Sequence, residues 1–135
     1  MKISGGCYCG QTRYEANGEP LMKVQCHCRE CQYISGGAPV LIMAMPSDGF
    51  AWTLGAPKPF TRSDLESPVT REFCPNCGTH LTTKSPGLPT AVMIKVGTLD
   101  DPSVFGGPQV AIFASEKQAF HLIPEGVTVF DKMPG

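Results

Sequence analysis

Seven cysteines in three tight groups constrain this chain more than any other feature of it. The groups read "GGCYCG" (Cys7, Cys9), "CHCREC" (Cys26, Cys28, Cys31) and "FCPNCGTH" (Cys74, Cys77). Thiols spaced this closely bring several sulfurs to one point of the backbone, so the fold must be built around whatever they hold. In a reducing compartment they are free thiols or metal ligands, not disulfides. An odd number also cannot close into intramolecular bridges alone. Cysteine packs well as a small apolar side chain, but packing does not by itself gather seven of them into three clusters.

The Cys74–Cys77 step is the most specific local signal. A C-x-x-C turn aims both sulfurs at one site, and Gly78 tolerates the positive φ that such a turn needs. N–H groups around the turn then donate to the thiolates. A redox dithiol is the alternative, but no βαβ pattern surrounds the pair to support one. A C-x-C pair also converges, yet each pair needs a second one to complete the four-thiolate shell of a structural zinc site.

Counting divides the seven donors as four plus three. That makes one closed site and one open site, the latter being how catalytic zinc keeps a position for water or substrate. The triplet is the natural open site, and the two pairs are the natural closed one. Spacing alone leaves another partition, in which Cys7 and Cys9 join Cys26 and Cys28. His27 is a candidate fourth ligand, although strand alternation turns it to the face opposite its neighbours. His80 reads as the start of a strand leaving the knuckle, and His121, isolated in "AFHLIP", reads as an ordinary residue.

Fifteen glycines and thirteen prolines in 135 residues imply many turns and short strands. Strands are expected at Thr12–Glu15, Met22–Gln25, Val40–Met45, Phe50–Leu54, Lys58–Arg62, Val69–Phe73, His80–Lys84, Ala91–Val96 and Gln109–Ala114. One helix is expected from Cys28 to Ser35, stopped by Gly36 and Gly37, and a short turn at Asp101–Phe105. The reading is a mainly β chain of small antiparallel sheets, forming a single domain over residues 1–135.

A net charge of −1 with no basic run argues against a nucleic-acid partner. The N-terminus lacks the apolar core of a secretory signal. The longest apolar run, "APVLIMAM", contains a proline and falls well short of the ~20 residues that span a bilayer. A soluble, cytoplasmic protein with no membrane partner is therefore expected; its oligomeric state is not legible.

The motifs "GGCYCGQTRY", "CHCRECQYISGG" and "REFCPNCGTHL", in that order, together with "VGTLDDP" and "AIFASEKQAFHLIPEGVTVF", resemble the glutathione-dependent formaldehyde-activating enzyme family, which also includes centromere protein V. The resemblance implies a β-tent fold of small antiparallel sheets pinned by zinc. It implies that Cys7, Cys9, Cys74 and Cys77 hold a structural zinc and that Cys26, Cys28 and Cys31 hold a labile or catalytic one. It also implies a carbon–sulfur lyase-type activity, joining glutathione or a similar thiol to formaldehyde or another small aldehyde through a zinc-bound thiolate. Phe120 stands where many relatives have tryptophan, and the chain is shorter than the best-known members that handle glutathione. Lys23, Arg29 and Arg62 are candidates for the carboxylates of the tripeptide, and Arg29 or Ser35 for hydrogen bonding near the zinc. The alternatives are a zinc-stapled glutathione carrier or protein-interaction module without catalysis, and a zinc-ribbon nucleic-acid binder.

Overall fold

The first two strands show strict alternation: β1 (Lys2–Gly6) and β2 (Arg13–Asn17) turn every second residue inward. The next are β3 (Met22–Cys26), β4 (Val40–Pro46), β5 (Phe50–Leu54), β6 (Lys58–Thr61), β7 (Thr70–Phe73), β8 (His80–Lys84) and β9 (Ala91–Lys95). Two short strands, β10 (Val110–Ile112) and β11 (Thr128–Val129), complete the set. This computed structural model describes residues 1–134.

Among those residues the strands form two sheets. One is three-stranded and antiparallel, in the order β1-β2-β5; the other has eight strands, in the order β11-β10-β3-β4-β9-β8-β7-β6. The mainly β reading is thus what the chain forms, and each of the nine expected strands exists with ends shifted by at most two residues. Sequence reading missed β1 and β11. It also did not anticipate that β10 runs parallel to both β3 and β11. No helix among the described residues is long and apolar enough to cross a membrane.

The helix α1 (Arg29–Ser35) starts where the cysteine triplet begins, with Cys28 as its N-cap. The Cys28 sulfur accepts the Cys31 N–H at 3.3 Å, in the role that Ser or Asp usually fills. Gly36 ends the helix at φ 81°, and its N–H returns to the Gln32 carbonyl. That is the left-handed C-terminal stop a glycine supplies without strain. The expected turn at Asp101–Phe105 is a 3₁₀ segment, Pro102–Phe105, with the Asp101 side chain accepting the Ser103 N–H.

The two faces of the large sheet do different work. One face carries Met43, Met45, Leu81, Val92 and Ile94, and packs on Ile3, Tyr14 and Ala16 of the small sheet to make the main core. Tyr14 is fully buried there, stacked on Phe50 and in edge contact with Trp52. Its hydroxyl bonds to Thr98 Oγ1 at 2.7 Å, which satisfies the one polar atom this ring brings into the core. The other face carries Val24, Cys26, Val40, Ile42 and Ile112.

Gly5 lies under the Tyr14 ring. A Cβ there would run into both the Tyr14 hydroxyl and the Thr98 carbonyl. Gly5→Ala is expected to cost roughly 1–3 kcal/mol through overpacking, read as a lower urea midpoint with an unchanged slope.

Candidate metal centre

The first cluster is assembled by two turns of similar build. In one, Cys7 N–H bonds to the Thr12 carbonyl and Gly10 N–H to the Cys7 carbonyl. In the other, Cys74 N–H bonds to the Thr79 carbonyl and Gly78 N–H to the Cys74 carbonyl. Gly10 and Gly78 take positive φ, at 81° and 78°, so each loop can fold back over its own cysteines. The four sulfurs of Cys7, Cys9, Cys74 and Cys77 lie within 4.8 Å of one another. Cys9 Sγ is 3.6 Å from Cys7 Sγ and 3.7 Å from Cys74 Sγ. A tetrahedral zinc with Zn–S near ~2.3 Å requires S···S edges of about 3.8 Å, so this donor set fits that ion.

Backbone and hydroxyl donors already serve these sulfurs. Thr12 N–H reaches Cys7 Sγ at 3.2 Å, and Asn76 and Cys77 N–H reach Cys74 Sγ at 3.4 and 3.5 Å. The Thr79 hydroxyl and N–H pull Cys77 down to about 5. Burial opposes ionisation of Cys7, but the Thr12 N–H and the Cys9 and Cys74 thiols outweigh it and leave that group below its ordinary value. Preformed donors of this kind favour thiolates, the form that binds metal.

The second cluster sits on the opposite face of the large sheet. Cys26 ends β3, Cys28 caps α1 and Cys31 lies in its first turn, and their three sulfurs also fall within 4.8 Å of one another. The Cys26 and Cys31 thiols hold Cys28 down to about 2. Contact with Cys28 and Cys31, together with burial, pushes Cys26 up. For Cys31 the hydrogen bond with Cys26 lowers the value, yet contact with Cys28 and burial override it and raise it to about 11. Of three sulfurs this close, one ionises more readily than the other two, since like charges oppose a second ionisation. A divalent cation removes that conflict, and this set too is compatible with zinc.

The trio opens onto a cavity of about 520 Å³ that is also lined by Arg71, Thr83, Met93, Lys95, Ile112, Phe113 and, from the C-terminal segment, Met133 and Pro134. Phe113 takes a left-handed conformation, φ 54° and ψ 39°, which is costly for a bulky residue. Such strain collects at functional sites. Arg71 and Lys95 are both buried on the sheet face that carries Cys26, and burial lowers Lys95 to about 8.

The basic residues chosen from sequence lie elsewhere. Arg62 is paired with Asp64 at 2.6 Å on the surface. The Arg29 guanidinium lies over the Tyr33 ring at 5.1 Å and donates to Gln32 Oε1. Neither these two nor Lys23 lines the cavity. The Ser35 hydroxyl is spent on the Ala38 and Gln32 carbonyls, so Ser35 and Arg29 do not hydrogen-bond the trio as expected. The readable signal for Lys95 was a single charge ending the apolar strand "AVMIK".

His27 turns away from the trio, as alternation requires. It is fully buried, with Nδ1 3.0 Å from His121 Nδ1 and Nε2 3.1 Å from Gln25 Nε2. His121 Nδ1 also accepts the Gln118 N–H, and its Nε2 donates to the Gly37 carbonyl at 2.7 Å. These partners assign the protons: His27 donates from Nδ1 and His121 from Nε2. Burial and the neighbouring His121 lower His27 accordingly. His121, taken from sequence as ordinary, is therefore the buried brace of the Cys26–Cys28 segment. His80 begins β8 and stacks on Phe73, outside the four-cysteine group.

No curated protein matches the sequence. A crystal structure of a Rhodobacter sphaeroides protein superposes with a TM-score of 0.62, covering 78% of this chain and 97% of that one. At 18% identity that likeness speaks for the fold alone. The model of one sequence family, described as glutathione-dependent formaldehyde-activating enzyme, matches residues 2–116, a span that holds all seven cysteines and both sheets except β11. The chain belongs to that family.

Proposed function

We propose that the protein joins a thiol, glutathione or one like it, to formaldehyde or another small aldehyde, as a carbon–sulfur lyase-type enzyme acting in the cytoplasm. In this reading the chain is one domain over residues 1–135. Cys7, Cys9, Cys74 and Cys77 hold a structural zinc, while Cys26, Cys28 and Cys31 hold a second, more labile one. The observation that carries it is the unequal division of sulfurs: the group of four is complete in itself, whereas the group of three faces a cavity. That cavity lies within the ~300–1,000 Å³ range of small-molecule sites.

A zinc ion in the trio supplies the positive charge that makes a thiolate available at neutral pH, where a free thiol is only a few per cent ionised. The cavity walls hold the thiol and aldehyde together and away from bulk water, so that a sulfur lone pair meets the carbonyl carbon. The C–S bond forms, the carbonyl π pair moves to oxygen, and that oxygen takes a proton, giving the hydroxymethyl thioether. The net change is addition of the thiol S–H across C=O. The His27–His121 brace and the helix cap keep Cys26, Cys28 and Cys31 converged during this step.

Metal analysis with a parallel rate measurement tests the reading. Two zincs per chain are expected, one of them removed readily by a chelator. Glutathione-dependent formaldehyde loss should fall in step with that ion and return when zinc is restored. A single zinc per chain, or a rate indifferent to its removal, overturns the proposal. Glutathione binding without any rate effect assigns a carrier role instead.

A further inference from the structure

Deep in the cavity beside the cysteine trio lies a cation to which the reaction above gives no part. Lys95, the last residue of β9, is 6% exposed. It stands across from Ile42 of β4, which in turn faces Val24 of β3, two residues before Cys26. Its ammonium donates to Thr83 Oγ1 at 2.7 Å. Among the described residues no carboxylate is within ion-pairing distance of it. A buried ammonium with one neutral partner is expensive to keep, because a charge leaving water needs an opposite charge nearby.

The two carboxylates of the same cavity have other partners, one of them Arg71, the second buried cation of the lining. Glu30 lies 3.7 Å from Arg71, and Glu116 accepts the Arg29 N–H at 2.9 Å. The sulfurs of Cys26, Cys28 and Cys31 line the same cavity as Lys95, and neither carboxylate forms an ion pair with its ammonium. Three thiolates around a dication carry one net negative charge, and an arriving thiolate makes it two. A mostly apolar cavity opposes both states unless a cation is built in.

We propose that Lys95 is the charge-balancing residue of the Cys26–Cys28–Cys31 centre, retaining the metal there and admitting a second, incoming thiolate. The inference rests on the reading that this trio holds zinc. Lys95 acts through the sulfurs and not on the reacting carbon, so it is a positioning residue.

Stability and metal retention then separate. Methionine at this position keeps an unbranched side chain of similar length and removes an ammonium whose hydrogen-bond partner is the neutral Thr83 hydroxyl, so with the trio free of metal the fold keeps its stability. A purely structural lysine would lower stability and metal affinity together.

The test uses the full chain loaded with zinc, as wild type, Lys95→Met and Lys95→Gln, titrated with a chromogenic chelator and then, reloaded, with glutathione in a calorimeter. In both variants the affinity for the labile zinc should fall by about 10- to 100-fold, the usual range for losing an outer-shell partner of a metal site. Glutathione affinity should fall with it, while the tightly held zinc, and the melting temperature measured after the labile zinc has been chelated, stay at or above wild-type values. Lys95→Gln keeps a polar head for Thr83 and carries the same expectation should the Met variant fail to fold. Wild type with two zincs and variants with unchanged affinities would remove the Lys95 assignment alone. Loss of both zincs together with a lower melting temperature would make Lys95 structural and overturn it. A wild type that takes up one zinc only would remove the proposed function, and this inference with it.

Discussion

Cys28→Ala is expected to abolish glutathione-dependent formaldehyde loss, by ~100-fold or more, in a protein that remains folded. Losing an outer-shell partner of a metal site already costs about 10- to 100-fold, and this substitution removes a donor itself. Folding survives because the trio lies on the far side of the large sheet from the main core of Tyr14, Met43, Met45, Leu81 and Ile94. The local structural cost is one helix cap, the Cys28 sulfur that accepts the Cys31 N–H, worth about 1 kcal/mol. Circular dichroism and a melting curve close to wild type, together with a lost rate, are the expected pair of results. Retention of the rate would show that the trio does not carry the reaction.

Cys74→Ala is expected to do the reverse and unfold most of the molecule. Cys74 is fully buried within the main core, and its sulfur receives two backbone N–H groups. Its knuckle meets the Cys7–Cys9 loop, which leads out of the small sheet, so one ion bound there would tie the two sheets together. Binding free energy at a structural zinc site is folding free energy, about 10–16 kcal/mol in small zinc-dependent units. That is comparable to the whole ~5–15 kcal/mol by which ordinary domains are stable. Collapse of the near-ultraviolet signal and loss of the tightly bound zinc would report it. Equal damage from Cys74→Ala and Cys28→Ala would mean that the four-plus-three division of labour is wrong.

The cysteine groups were legible because metal-ligand spacing is a local property: a knuckle or a cap is written within a few consecutive residues. The strands were legible where apolar alternation is clean, as in "VLIMAM" and "AVMIK". β1 was not, since "KISGG" offers one large apolar residue and two glycines. Those glycines are required by what covers them, the Tyr14 ring over Gly5 and the Arg13 side chain over Gly6, and no single stretch of sequence says so. β11 has two exposed residues and exists by pairing with β10. The cavity was the least legible part. Arg71, Thr83 and Lys95 come from three different strands and meet the trio only through cross-strand register. The partnership of His27 with His121 spans 94 residues, and a solitary histidine carries no sign of a distant partner.

The four-sulfur junction also bears on how the chain reaches its final shape. Cys9 and Cys74 are separated by 65 positions, so an ion gripping both seals a long loop. Sealing becomes only slightly harder as such a loop lengthens, but it requires both ends to be present. During synthesis the amino-terminal pair emerges first and waits, half-coordinated and open to oxidation or stray metals, until the second pair leaves the ribosome. With a structural zinc at this junction, as proposed, metal supply at that moment would bear on how many newly made chains mature correctly.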